Sequence, residues 1–340
     1  MHGMNRKTIG QSVAVFLAVL ALLFSAGSAI AGGRGSLPQS PGEPIRAFLP
    51  GPLGHQAVAE DQPGRGFLLL RLDGQPGVHF QGFPHAGKQV SWSPDGRWIG
   101  FKQIASGQQV AMVYDTRSGR LLDLTAPSPR CGVPSFADRL VAVSRGTRVL
   151  LYDRNFRLLR EIGLGHYANL VRLSPDGQRL AWNDSDDQIW ITWLATGKSR
   201  RISDGTQGYF NPLWQPRGGG LLFQGWNEQL FYYSPASGRV KNLGAGAHPS
   251  WSPDGQWVFC SRATWGENGF IADRDIWAVR VADGWEQNLT GTPDRFEDYP
   301  AIRSGVLLFR AGDQQLFRQP LLYRNGTWRR LREEPLQQPP

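Results

Sequence analysis

The sequence predicts an all-β chain folded as a single β-propeller of four-stranded antiparallel blades. Three observations predict it. First, 340 residues with 42 Gly, 24 Pro and only 19% charged residues suit many short strands joined by tight turns. Second, a Ser-Pro-Asp-Gly turn returns at even intervals, at Ser93–Gly96, Ser174–Gly177 and Ser252–Gly255. Third, a different marker further along each unit has the same period. With 13 Trp and 40% hydrophobic residues, the chain is too apolar to be disordered. Helical bundles, collagen and coiled coils are excluded by the same composition. Two cysteines exclude a disulfide framework and a four-thiolate zinc site.

The three turns lie roughly eighty residues apart, twice the length of one blade. A diverged copy falls in each gap. Ser135-Phe136-Ala137-Asp138 precedes Leu140–Val143, and Leu213-Trp214-Gln215-Pro216 precedes Leu221–Phe223. Pro300-Ala301-Ile302 before Val306–Phe309 extends the series, and Ala47–Pro50 before Ala57–Ala59 begins it. The second marker is an apolar run ending in a turn, as in Val110–Tyr114 before Ser118-Gly119, and Leu230–Tyr232 before Ser237-Gly238. It occurs seven times between Asp73-Gly74 and Asn325-Gly326, a period of about 42 residues.

Within one unit, the first strand ends at the Trp92 type of position and the Ser-Pro-Asp-Gly turn follows. Pro presets the φ of a type I turn, Asp bonds its own backbone, and Gly accepts a positive φ. Trp98–Phe101 reads as the second strand, Val110–Asp115 as the third and Leu121–Leu124 as the fourth. A lone four-stranded sheet of this kind has two apolar faces, and a closed ring of like units covers both. Residues 45–332 supply seven blades, or six if residues 45–84 form only a partial one. Trp92, Trp214 and Trp251 then pack between blades.

The N-terminus reads as an address. Arg6 and Lys7 precede an apolar run, Val13–Phe24, and then Ala29-Ile30-Ala31 gives a cleavage pattern. The alternative is an uncleaved membrane anchor, but the run is shorter than the ~20 residues of a spanning helix. The expected layout is a signal peptide over 1–31, a linker over 32–44, the propeller over 45–332 and a tail over 333–340. Export places the protein in the periplasm or outside the cell, as a monomer with no transmembrane segment once the signal is removed. The net charge, +9 for the whole sequence and +7 once Arg6 and Lys7 leave with the signal, then points to an anionic glycan or envelope protein as partner, not to nucleic acid.

The Trp-Ser-Pro-Asp-Gly turns, each followed by an apolar strand, resemble the PD40, or TolB-like, propeller repeat (WD40-like in the broad sense). That resemblance implies a bacterial periplasmic binding protein. TolB also carries an α/β domain ahead of its propeller. Here the repeats begin soon after the expected cleavage site, so a propeller alone is expected.

Candidate functional residues lie just upstream of the first strands, where the blades meet a central channel. His85 and His166 occupy one repeat position, and His248 stands three before Trp251. Asn211, Glu297 and Asp298 fill neighbouring offsets in other blades. Six polar groups converging on one mouth would grip a ligand or partner. The reading is therefore a non-catalytic propeller, without cofactor, that binds a protein or cell-envelope glycan through its funnel. The alternative is a metal-dependent lyase or hydrolase of an anionic saccharide, with a divalent metal held by the funnel histidines. Some related propellers, such as oligogalacturonate lyase, use histidines in this way. A serine peptidase is excluded, because no serine has Gly at both −2 and +2. Asp95, Asp176 and Asp254 read as turn residues spread around the ring. Cys131 before a first strand, and Cys260 at the end of a second strand three blades away, read as buried thiols rather than a disulfide.

Overall fold

The computed structural model of the chain describes residues 48–335, apart from 54–55, 61–65, 72–76, 84–85, 87–89, 218, 294, 313–314 and 333. The expected signal peptide and linker, and His85, lie outside the described residues.

Seven antiparallel sheets form the seven blades, each taking its strands in chain order from the axis outward. Blade 1 is β1 (Phe48–Pro50), β2 (Gln56–Glu60), β3 (Gly66–Arg71) and β4 (Val78–Gln81). Blade 2 is β5 (Ser91–Trp92), β6 (Trp98–Ala105), β7 (Gln108–Asp115) and β8 (Leu121–Asp123). Blade 3 is β9 (Ser135–Phe136), β10 (Leu140–Arg145), β11 (Arg148–Asp153) and β12 (Leu158–Gly163). Blade 4 is β13 (Val171–Leu173), β14 (Arg179–Asn183), β15 (Ile189–Trp193) and β16 (Ser199–Arg201). Blade 5 is β17 (Tyr209–Trp214), β18 (Leu221–Gly225), β19 (Gln229–Ser234) and β20 (Arg239–Ala245). Blade 6 is β21 (Ala247–Trp251), β22 (Trp257–Trp265), β23 (Ile271–Arg280) and β24 (Glu286–Asn288). Blade 7 is β25 (Asp298–Arg303), β26 (Val306–Ala311), β27 (Gln315–Arg324) and β28 (Thr327–Arg330). A short β29 (Glu334–Pro335), in the stretch expected to be tail, pairs with β27 at Phe317 and Arg318.

First strands of neighbouring blades touch, among them β5 and β9, β13 and β17, β21 and β25, and across the closure β25 and β1. They therefore line the axis. The first-to-second and third-to-fourth turns share one face of the ring. The second-to-third turns and the blade-to-blade connections share the other, the mouth face.

The core sits between blades. Seven apolar clusters fill seven joints, for example Val149, Leu151, Val171 and Trp182 between blades 3 and 4. Another joins Phe67 and Phe80 of blade 1 to Ile99 and Phe101 of blade 2. Ala57, Ala59 and Leu70 meet Leu308 and Leu316 where blade 7 returns to blade 1. At about 25 cal/mol per Å² of apolar surface removed from water, this packing is what a lone blade lacks.

The repeat motifs have local causes. Ser93 Oγ donates to Asp95 Oδ1 (2.6 Å) and accepts from the Trp98 amide (2.8 Å). The Gly96 amide closes the turn on Ser93 O (2.9 Å) at a φ of 67°. The Ser174–Gly177 and Ser252–Gly255 turns repeat these bonds. The three aspartates are thus consumed in turns. The indole N–H groups of Trp92, Trp214 and Trp251 each donate to a carbonyl in the preceding blade, those of Leu49, Arg172 and Leu213.

Both cysteines are free and buried, on blades 3 and 6. Cys260 does not end its strand as expected. It lies in the middle of β22, because the β22–β23 hairpin continues past the apolar run through Arg262–Trp265 and Ile271–Asp275. Among the described residues, no helix is long and apolar enough to cross a membrane.

Candidate functional site

The described funnel residues do not share one cluster. His166, exposed, stacks on Trp190 of its own blade with ring centroids 5.2 Å apart. Asn211 donates through Nδ2 to Gln224 Oε1 (3.3 Å), also within its blade. His248 and Asp298 meet directly across the joint of blades 6 and 7. Glu297, next to Asp298 in sequence, enters a separate acidic group. The two described histidines that the metal alternative needs stand on blades 4 and 6 with different partners.

Asp298 is a hub. His248 Nδ1 lies 2.5 Å from Asp298 Oδ1. An ionised carboxylate only accepts, so Nδ1 carries the hydrogen. Ser261 Oγ donates to the same oxygen (2.8 Å), and Arg274 and Arg310 stand 3.4 and 3.3 Å from Oδ2. Burial alone would raise the Asp298 pKa, but His248, Arg274 and Ser261 outweigh it and hold the carboxyl well below the usual range. His248 also stacks on Tyr299 at 3.9 Å, and the Arg310 guanidinium covers the Tyr299 ring at 4.8 Å.

A backbone device aims these groups. Asn211, His248 and Tyr299 each precede a buried proline and adopt positive φ values of 53°, 48° and 53°. Each sits at a register shift between the first and second strands of its blade. Such bulges re-aim a side chain, and a non-glycine residue at positive φ is uncommon. Blade 3 has Pro134 at the same repeat position, yet Val133 before it is not at positive φ, as a β-branched residue resists that region. Three consecutive blades, 5 to 7, therefore share a feature that blade 3 lacks. The X-Pro pairs were visible in the sequence; their backbone conformation was not.

Strand alternation creates the second group. On β23, Arg274 turns toward Asp298 while Asp273 and Asp275 face the other way, toward Glu297. The Glu297 amide donates to Arg274 O (2.7 Å), which fixes this register between blades. Carboxylate oxygens of Asp273, Asp275 and Glu297 lie within 4.8 Å of one another. Glu297 is fully buried, and neither of its carboxylate oxygens has a hydrogen bond. Burial pushes its pKa up to about 8, with Arg295 opposing and Asp275 and Asp273 adding to the rise. Asp273 and Asp275 were not among the residues expected from the sequence. An Asp-Arg-Asp run on a strand, which puts both carboxylates on one face, was the available signal.

The mouth face also carries exposed aromatic rings. Trp226 is 62% exposed, Trp265 61%, Phe270 73% and Phe296 45%. Trp226 lies in the second-to-third turn of blade 5, Trp265 and Phe270 flank that of blade 6, and Phe296 precedes β25. The Trp226 ring lies against Gly208, where a Cβ would stand 2.6 Å from Nε1, so it is held in place. On the opposite face, a cleft of about 560 Å³ between blades 2 and 3 is lined by turn residues including Asp95, Arg97 and Asn155.

No family model matches the sequence. A chain in the crystal structure of a mitotic checkpoint complex superposes with a TM-score of 0.59 at 14% identity, covering 85% of this chain and 98% of that one. Hsv2 of Kluyveromyces lactis gives a TM-score of 0.56 at 12% identity, covering 86% and 99%. This chain is a seven-bladed β-propeller. At such identities the likeness shows the fold alone.

Proposed function

We propose that this chain is an exported, monomeric, non-catalytic TolB-like propeller that binds an envelope protein or cell-envelope glycan through its mouth face. One observation carries the reading: Trp226, Trp265, Phe270 and Phe296 stand exposed on the rim of three consecutive blades. Exposed apolar groups gathered on one face mark an interaction surface, and Trp is the residue most enriched at binding hot spots. The net charge, +7 once Arg6 and Lys7 leave with the signal, favours an acidic partner. The similar propeller chain described above comes from a mitotic checkpoint complex, and this supports a binding role for the present propeller by analogy of fold. The Ser-Pro-Asp-Gly repeats support the TolB-like reading, and the N-terminal apolar run supports export.

The test compares wild type with a Trp226→Ala, Trp265→Ala, Phe270→Ala triple variant and with Trp193→Ala, an exposed ring at the other end of its blade. Each is used to capture partners from envelope extract and to retard in gels cast with acidic cell-wall glycans. Loss of the captured species or retardation in the triple variant alone supports the reading. Equal behaviour of all three proteins overturns it.

A further inference from the structure

We propose that Asp273, Asp275 and Glu297 form a binding site for a hard divalent cation, Ca²⁺ in particular, at the joint of blades 6 and 7. The site is distinct from the aromatic rim. Oxygens that bind one Ca²⁺ at about 2.3–2.6 Å can be at most about 5 Å apart, and the three carboxylates lie within 4.8 Å of one another. The donors named are all oxygens, which suits Ca²⁺, Mg²⁺ or Mn²⁺ and not the softer metals. Ca²⁺ tolerates the irregular geometry of three ligands from two blades, whereas Mg²⁺ demands a tight octahedron.

The second observation is Glu297 itself. Its side chain is fully buried, it points into the acidic group, and both carboxylate oxygens lack a hydrogen bond. A buried carboxylate without a hydrogen bond is rare and needs a reason. Arg295 offers only a long ion pair, Nε to Oε1 at 3.5 Å, and no hydrogen bond, while its guanidinium lies over Phe317 at 4.2 Å. Arg274, between Asp273 and Asp275 on the strand, is turned to Asp298 on the far face.

Asp275 is already held in the pose of a ligand. Asn288 Nδ2 donates to its Oδ2 (2.9 Å), and the Thr290 hydroxyl and Thr292 amide approach its Oδ1 (both 3.3 Å). Outer partners of this sort orient a metal ligand and leave lone pairs free. Asp273 is only partly buried, which gives an ion a way in from the mouth face.

The experiment is calorimetric titration of the EDTA-stripped, full chain with CaCl₂, then with MgCl₂ and MnCl₂, alongside thermal melts in each salt. Wild type should bind one Ca²⁺ and melt at a higher temperature in its presence. Glu297→Gln and Asp273→Asn should each weaken binding at least tenfold and lose the thermal rise. Asp254→Asn, in a turn on the opposite face, should bind as wild type does. Should Glu297→Gln fail to fold, Asp273→Asn carries the test alone. The proposal is overturned if wild type shows neither heat nor thermal rise with any of the three ions at millimolar concentration. It is overturned equally if both acidic variants bind as tightly as wild type. No partner is present in the titration, so its outcome is independent of the rim's role.

Discussion

His248 and Asp298, fifty residues apart in the chain, meet 2.5 Å apart across the joint of blades 6 and 7. The bond links first strands of adjacent blades, and two arginines, one from each blade, close on the other carboxylate oxygen. Removing the carboxylate takes from Arg274 and Arg310 the charge they share here. Asp298→Ala should cost about 3–5 kcal/mol of stability, the range for breaking a buried ion pair from one side. Asp298→Asn keeps the shape and should fall between wild type and the alanine variant. Urea denaturation of the three proteins measures both.

Acid should weaken blade 2 through Asp115. Arg97 grips this carboxylate with Nε at 3.2 Å and Nη2 at 2.8 Å. The hydrogen bonds from Arg97 hold its pKa well below the usual range, against the opposing effect of burial. A carboxyl with a depressed folded pKa adds stability that is fully present above its unfolded value of about 4 and is lost as pH falls below it. Melting temperatures of wild type and Asp115→Asn should therefore differ most near neutral pH and converge between about pH 4 and 2. A gap that stays constant down to pH 2 would contradict this.

Gly100 is a packing contact. A Cβ there would stand 2.7 Å from Ser91 Oγ, 2.8 Å from Phe136 and 2.9 Å from Pro134, the last two in the next blade. Ser91 Oγ already donates to Pro134 O at this point. Gly100→Ala should lower stability by about 1–3 kcal/mol, the usual cost of overpacking. A chemical melt that matches wild type would show the joint to be looser than described.

Thiol labelling reads the core directly. Cys131 and Cys260 are buried on separate blades, and burial pushes Cys260 up to about 11. Thiolate is the reactive form, so the native protein should react with a disulfide reagent far more slowly than the unfolded protein. In denaturant without reductant, two thiols per chain should label at once.

The ring was legible because its causes are local and repeated. Ser93, Asp95 and Gly96 make a turn by bonding one another, and Trp92, Trp214 and Trp251 recur because three joints use the same donor to the same kind of carbonyl. The site was legible only in its address. Repeat position assigned His85 and His166 one offset and all six polar residues one mouth, but the sequence carries no sign that His166 settles on Trp190. Meeting across a joint depends on a bulge at His248, whose φ no propensity encodes. Asp273 and Asp275 escaped notice because they lie on the extension of β23, beyond the apolar run that marks the third strand.

The ends of the chain build blades 1 and 7 separately, since no strand from one is paired into the sheet of the other among the described residues. The joint between them has a small cluster of Ala57, Ala59, Leu70, Leu308 and Leu316, helped by Arg303 Nε donating to Gly51 O (3.3 Å). Every other joint is also spanned by a covalent connection, so partners there stay tethered when their side chains part. Here they do not. The ring thus has a built-in clasp, and thermal breathing should begin where the clasp fastens, with the remaining six joints opening only afterwards.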